Sequence, residues 1–224
     1  MFHGHCTTNP ARAIRRKLTK ASPREMQEHL RALPYREVHS FMERLRQAPG
    51  TAARCLEFAL LTAARTNEAL TAAWSEIDFD AATWTIPAAK MKAKEIHVVY
   101  LSSSVIELLR AQRGQDMTLV FPSPMLPGRP MSNMAMLTVL DRLGMRDRTT
   151  VHGVRRASFS AWANETAAAR PDVIEAALAH AEQDKIRQAY NRAEYIEERQ
   201  ALMNAWAGFL ASPVEPNVLS LRVA

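Results

Sequence analysis

Between Trp74 and Leu101 the chain changes its period. On either side, apolar residues recur at the three-and-four spacing of amphipathic helices. Within it, "EIDFD", "TWTIP" and "IHVVYL" are short, rich in β-branched and aromatic residues, and separated by turn-like pieces. Three such runs predict a small three-stranded antiparallel sheet, with the lysine-rich "AAKMKAKE" as the hairpin between its second and third strands. The fold class is therefore mainly α with a small three-stranded antiparallel β-sheet (α+β).

The flanking helices follow from the same reasoning. "SPREMQEHLRAL" predicts a short helix with Ser22 as cap and Pro23 in its first position. "PYREVHSFMERLRQAPG" predicts an amphipathic helix on Val38, Phe41, Met42 and Leu45, stopped by Pro49-Gly50. "TAARCLEFALLTAAR" is apolar enough to be a buried helix, delivering Arg65 at its polar end. After "SSVIELLRAQR" and a Pro-rich loop at 121–130, helices are expected near 132–143, 152–166, 171–180, 184–193 and 195–210. The expected organisation is a basic lead-in at 1–33, a main domain at 34–211 and a tail at 212–224.

With 224 residues, 47% of them hydrophobic and 23% charged, the chain is long and apolar enough for a real core. The formal charge of +6 comes from the start. Residues 1–48 hold 10 of the 29 Lys+Arg and 4 of the 23 Asp+Glu, leaving 19 of each beyond. A basic lead-in suits a polyanionic partner, and any basic patch in the main body must come from arrangement. Cys6 and Cys55 are too few for a disulfide framework, which suits a reducing cytoplasm. "HGHC" at 3–6 lacks a second ligand cluster and is read as a terminus, not a metal site. No apolar h-region opens the chain, and no apolar run reaches the roughly 18 residues of a membrane span, so no membrane partner is expected.

Three places hold reactive residues. In "LLTAARTNEAL", Glu68 stands one helical turn after Arg65, the spacing of an ion pair. In "VHGVRRASFSAWANE", His152 and Arg155 share a helical face, flanked by Arg156; a planar guanidinium beside an imidazole suits phosphate recognition. In "LAHAEQDKIRQAYNRAEY", His180 and Tyr190 would stand about 280° apart on one continuous helix. A break at "AEQD", with Asp184 as cap, would let two helices bring them to one site. Tyr195 instead begins the stripe Tyr195, Leu202, Trp206 and Phe209, which reads as packing.

These residues, in this order, resemble the catalytic domain of tyrosine recombinases, most similar to integrases of bacterial prophages and genomic islands. The resemblance rests on "LEFALLTAARTNEAL", "WSEIDFDAATWTIPAAKMKAKEIHVVYLS", "VHGVRRASFSAWANE" and "ALAHAEQDKIRQAYNRAEYIEERQALMNAWAGFL", which lie within roughly residues 34 to 211. It implies Arg65 as first arginine, Lys92 as hairpin lysine with Lys90 and Lys94 two residues to either side, and His152 with Arg155 as the H-x-x-R pair. It further implies His180 as third basic ligand, Tyr190 as nucleophile and Glu68 as a supporting acid.

The implied activity is site-specific DNA recombination or integration through a 3′-phosphotyrosine intermediate. Double-stranded DNA and other integrase protomers are the implied partners, and neither ATP, metal nor another cofactor is required. Two positions depart from the family. Asn67 stands where glycine is frequent, tolerable because Asn accepts left-handed backbone, and Tyr100 stands where proline is usual. Integrases of this kind carry DNA-binding modules before the catalytic domain, whereas only 1–33 precede it here. A fragment or truncated gene product is thus expected, and the alternative is an incompetent remnant that binds DNA or a full-length integrase.

Overall fold

The computed structural model describes residues 31–180 and 194–212. The expected helix at 184–193, all but the end of the one at 22–33, and Tyr190 lie outside the described residues.

Helix α1 (Tyr35–Gln47) buries Val38, Phe41, Met42 and Leu45 on one face. Helix α2 (Thr51–Leu61) is buried almost all round, including Glu57, whose carboxylate accepts from Arg46 at 3.0 Å and Arg54 at 2.5 Å. This central helix does not reach Arg65. It ends at Leu61, Ala63 adopts left-handed backbone (φ 51°), and Arg65 caps a separate short helix, α3 (Thr66–Leu70). The expected single helix through Arg65 is thus corrected. Apolar patterning continues through Ala63 and Ala64 because both are buried, so composition carries no sign of the turn.

The sheet consists of β1 (Ile77–Asp78), β2 (Thr83–Ile86) and β3 (His97–Tyr100), antiparallel in the order β1-β2-β3. Register pairs Trp84 with Val99 and Ile86 with His97, so the alternation of β2 sends Trp84 and Ile86 into the core. Phe58 of α2 meets Trp84 at 4.9 Å and Phe121 at 5.2 Å between ring centroids, fastening sheet to helices. Then come α4 (Ser103–Gln112), α5 (Ala135–Arg142), a π-helical turn (Gly153–Ala157) running into α6 (Ser158–Glu165), α7 (Pro171–Ala177) and α8 (Ile196–Ala211).

Helix α8 buries Leu202, Met203, Trp206 and Leu210. The Trp206 indole donates to the Leu60 carbonyl at 2.9 Å and packs on Phe159, Trp162 and Phe209, at 5.4, 5.0 and 5.6 Å. Tyr195, left-handed at the N-cap of α8, packs partly buried against this core, with Arg170 over its ring at 5.3 Å. Among the described residues no helix is long and apolar enough to cross a membrane.

Two consequences are measurable. Trp206→Ala should cost about 3–5 kcal/mol, read as a lower urea midpoint, because it empties an aromatic cluster and strips the Leu60 carbonyl of its donor. The second concerns His97, at the start of β3. Burial and then the Arg199 charge push its imidazole down to about 4, with Arg65 adding to them and Glu68 and the Ala177 carbonyl opposing. The folded protein therefore holds His97 neutral where the unfolded chain, near 6.5, already binds a proton. Its contribution is complete above about pH 6.5 and is lost as pH falls towards about 4, up to roughly 3 kcal/mol. His97→Gln should remove that part of the pH dependence in urea titrations.

Candidate active site

Arg65 is fixed from its own backbone outward. The Glu68 carboxylate, only 4% exposed, accepts the Arg65 N–H at 2.8 Å and its Nη1 at 2.9 Å, while Nη2 donates to the Ala179 carbonyl at 2.9 Å. One buried acid thus closes the start of α3 and orients the guanidinium beside it. The next residue, Thr66, accepts through Oγ1 from Arg155 Nη2 at 2.9 Å, so the two arginines meet through adjacent residues.

Arg155 and Arg156 sit in the π turn, a local widening of the helix that often marks functional sites. Gly153 opens it for a steric reason. A Cβ there would lie 2.2 Å from the Arg31 carbonyl oxygen, which accepts from the Thr150 N–H at 3.1 Å. Residues 31–33, assigned from sequence to the lead-in, run along this turn, and the Leu33 carbonyl accepts from the Ser158 hydroxyl at 2.6 Å.

The Arg155 side chain is 1% exposed. Its Nε donates to the Val151 carbonyl at 2.8 Å, and its Nη1 has no hydrogen-bond partner among the described residues. Burial, then the Arg156 charge, push it down to about 10, so it remains a cation at neutral pH. His152 stands one helical turn earlier, exposed at the rim. Partial desolvation, then the charges of Arg155, Arg156, His180 and Arg65, hold its imidazole below the ordinary range. It is therefore neutral near pH 7 and able to accept a proton.

Arg65, Thr66, Asn67, Asn133, His152 and Arg155 line one open cleft of about 480 Å³. Its charged lining is cationic, one guanidinium has unspent hydrogen-bonding capacity, and the site suits an anion with several oxygens. Asn67 belongs to α3 and is absent from the left-handed residues, so the tolerance of Asn for left-handed backbone is not called upon here. It faces the cleft instead.

His180 is close by but is not a lining residue. Helix α7 ends at Ala177 and Ala179 is left-handed (φ 49°), so the turn precedes "AEQD", which lies outside the described residues. The His180 Nδ1 meets Glu175 Oε2 at 2.7 Å and its Nε2 meets Arg156 Nη2 at 2.6 Å. Lys92 is exposed in the connection to β3 and is not among the cleft-lining residues. Lys90 is committed elsewhere: its Nζ pairs with Glu76 and donates to the Thr71 carbonyl at 2.5 Å.

Sequence reasoning did not pick out Thr66, Asn133 or the role of Arg156. Thr66 and Asn133 carry no motif, whereas the doubled arginine of "VRR" could have marked Arg156. No group of three or more His, Cys, Asp or Glu side chains among the described residues could hold a metal ion.

The family model described as Phage integrase family matches residues 31–197. Over 159 residues the chain is 40% identical to prophage integrase IntA of Escherichia coli (strain K12), covering 69% of this chain and 38% of that protein. Prophage integrase IntZ of the same strain is 38% identical over 197 residues, 82% of this chain and 48% of that protein. The integrase of Enterobacteria phage P4 is 32% identical over 222 residues, 91% and 49% respectively. The chain thus spans less than half the length of these relatives. The crystal structure of XerA recombinase shares the fold, with a TM-score of 0.53 over 76% of this chain and 63% of that one, at 13% identity. A matched model over most of the chain, on a fold shared with a recombinase, gives the conclusion: the chain belongs to the phage integrase family.

Proposed function

We propose that this chain is the strand-cleaving and rejoining part of a site-specific DNA recombinase, with residues 34–211 as its catalytic domain. The observation that carries the reading is the cleft itself, where Arg65 and Arg155 converge and the buried Arg155 Nη1 lacks a partner among the described residues. A phosphodiester suits that vacancy, and its transition state, with more charge on the nonbridging oxygens, suits it better. Preorganised donors of this kind are worth roughly 10²–10³ in rate each. His180, held beside the cleft by Glu175 and Arg156, becomes the third donor when a phosphate oxygen replaces the Glu175 carboxylate at its Nδ1–H.

In this reading the Tyr190 phenolic oxygen attacks phosphorus, forming the P–O(Tyr) bond as the bond to the 5′ oxygen breaks. His152 takes the phenolic proton, and Lys92 protonates the departing 5′ oxygen. The commitment of Lys90 to Glu76 supports Lys92 over that neighbour. A 5′-hydroxyl of another strand then attacks the phosphotyrosine and releases Tyr190, so the energy of the broken bond is retained. Strand exchange requires further protomers on the same DNA.

A nicked suicide duplex carrying the attachment core tests this. The chain should form a covalent adduct and Tyr190→Phe should form none. Adduct from Tyr190→Phe would overturn the assignment, and loss confined to Tyr195→Phe would move the nucleophile. Binding without adduct on any duplex would favour a remnant. The low-lying imidazole of His152 should place the acid limb of the adduct-rate profile below about pH 6.5, the ordinary histidine value. His152→Ala should abolish that limb and slow the reaction about 10²–10⁴-fold.

A further inference from the structure

Arg156 is buried, 5% exposed, yet it is not part of the cleft lining and makes no ion pair among the described residues. Burial, then the Arg65 charge, push it down to about 10, so at neutral pH its charge is intact in an apolar setting. A buried guanidinium requires strong acceptors. Those it finds belong to the two chain segments that carry the other candidate ligands. Nη1 donates to the Ala63 carbonyl at 3.1 Å, two residues before Arg65. Nη2 donates to the Leu178 carbonyl at 2.5 Å and lies 2.6 Å from His180 Nε2. The Arg65 guanidinium takes the next carbonyl, that of Ala179. Two arginines from separate elements therefore occupy the two carbonyls that lead directly into His180.

The polarity of the His180 contact follows from chemistry. A guanidinium only donates, so Nε2 meets it with its lone pair and the ring proton sits on Nδ1, facing the Glu175 carboxylate. His180 is 43% exposed in its side chain, and these two contacts bracket both edges of its ring. We propose that Arg156 is a positioning residue of the site: it ties the turn before Arg65 to the end of α7 and holds His180 beside the cleft through Leu178 and Nε2. This rests on the recombinase reading for its consequence in catalysis, but not for its geometry.

Arg156→Lys separates this role from simple charge, because one ammonium cannot span the Ala63 carbonyl, the Leu178 carbonyl and the imidazole together. In the full chain, with 15N-labelled histidine at about pH 8 and His180 assigned by its loss in His180→Gln, wild type should show the Nδ1–H tautomer with Nε2 accepting. Arg156→Lys should shift the Nε2 resonance towards the value of a free, unprotonated nitrogen. An unchanged resonance would overturn the proposal.

On the suicide duplex, Arg156→Lys should slow adduct formation roughly 30-fold when His180 is present and less than about threefold in a His180→Ala background. Equal losses in both backgrounds would mean that Arg156 serves the fold alone, and a faster adduct would mean that it restrains His180; either overturns the proposal. If wild type forms no adduct, the recombinase reading fails while the imidazole spectrum still decides this one. Should Arg156→Lys unfold, Glu175→Ala at an exposed position tests the other edge of the ring. The His180 Nδ1 resonance should then move, and an unmoved one counts against the bracket.

Discussion

Two guanidinium groups, those of Arg155 and Arg156, are buried side by side in a domain whose interior is otherwise mostly apolar. Charge in such a place costs several kcal/mol unless hydrogen bonds replace the lost water. Here the replacements are the main-chain carbonyls of Val151, Ala63 and Leu178, the Thr66 hydroxyl and the His180 imidazole. Those acceptors come from the turn after α2, the start of α3, the approach to the π turn and the end of α7. The demand for acceptors around two charges thus requires residues 63–66, the π turn with its approach, and the end of α7 to meet at one point.

The same demand leaves a remainder. Arg155 spends Nε and Nη2 on the protein and keeps Nη1, while Arg65 is gripped by Glu68 on one side and the Ala179 carbonyl on the other. Positive charges at this spacing repel one another, and burial together with that repulsion lowers both Arg155 and Arg156 without discharging them. An arriving anion relieves the repulsion, and in a cleft already organised little further rearrangement is needed. Partial burial, and then the same field, keep His152 neutral. One electrostatic arrangement thereby favours an anion and leaves a nearby imidazole able to accept a proton.

Much of the fold was legible because it is written in local periodicity. The three strands and their order follow from alternation, and the amphipathic faces of α1 and α8 from three-and-four spacing. The Arg65–Glu68 contact follows from a spacing of one turn. Local patterning failed where a turn is made without glycine or proline. Ala63 and Ala179 are both left-handed, and nothing in "LLTAAR" or "ALAHAE" distinguishes them from helical alanines. Arg156 looked like a flanking charge because its acceptors lie 93 and 22 residues away in the chain.

By itself the sequence determined the element types and the apolar faces, since each depends on neighbours within a turn or two, while the ordered set of candidate residues came from the family resemblance. Tertiary structure alone decided where Arg65 sits relative to α2, why Gly153 must lack a side chain, and which arginine faces the cleft and which holds the histidine. Those outcomes depend on carbonyls and backbone approaches between segments far apart in the chain. A carbonyl is present at every residue, so no pattern of side chains can announce which one a buried guanidinium will find.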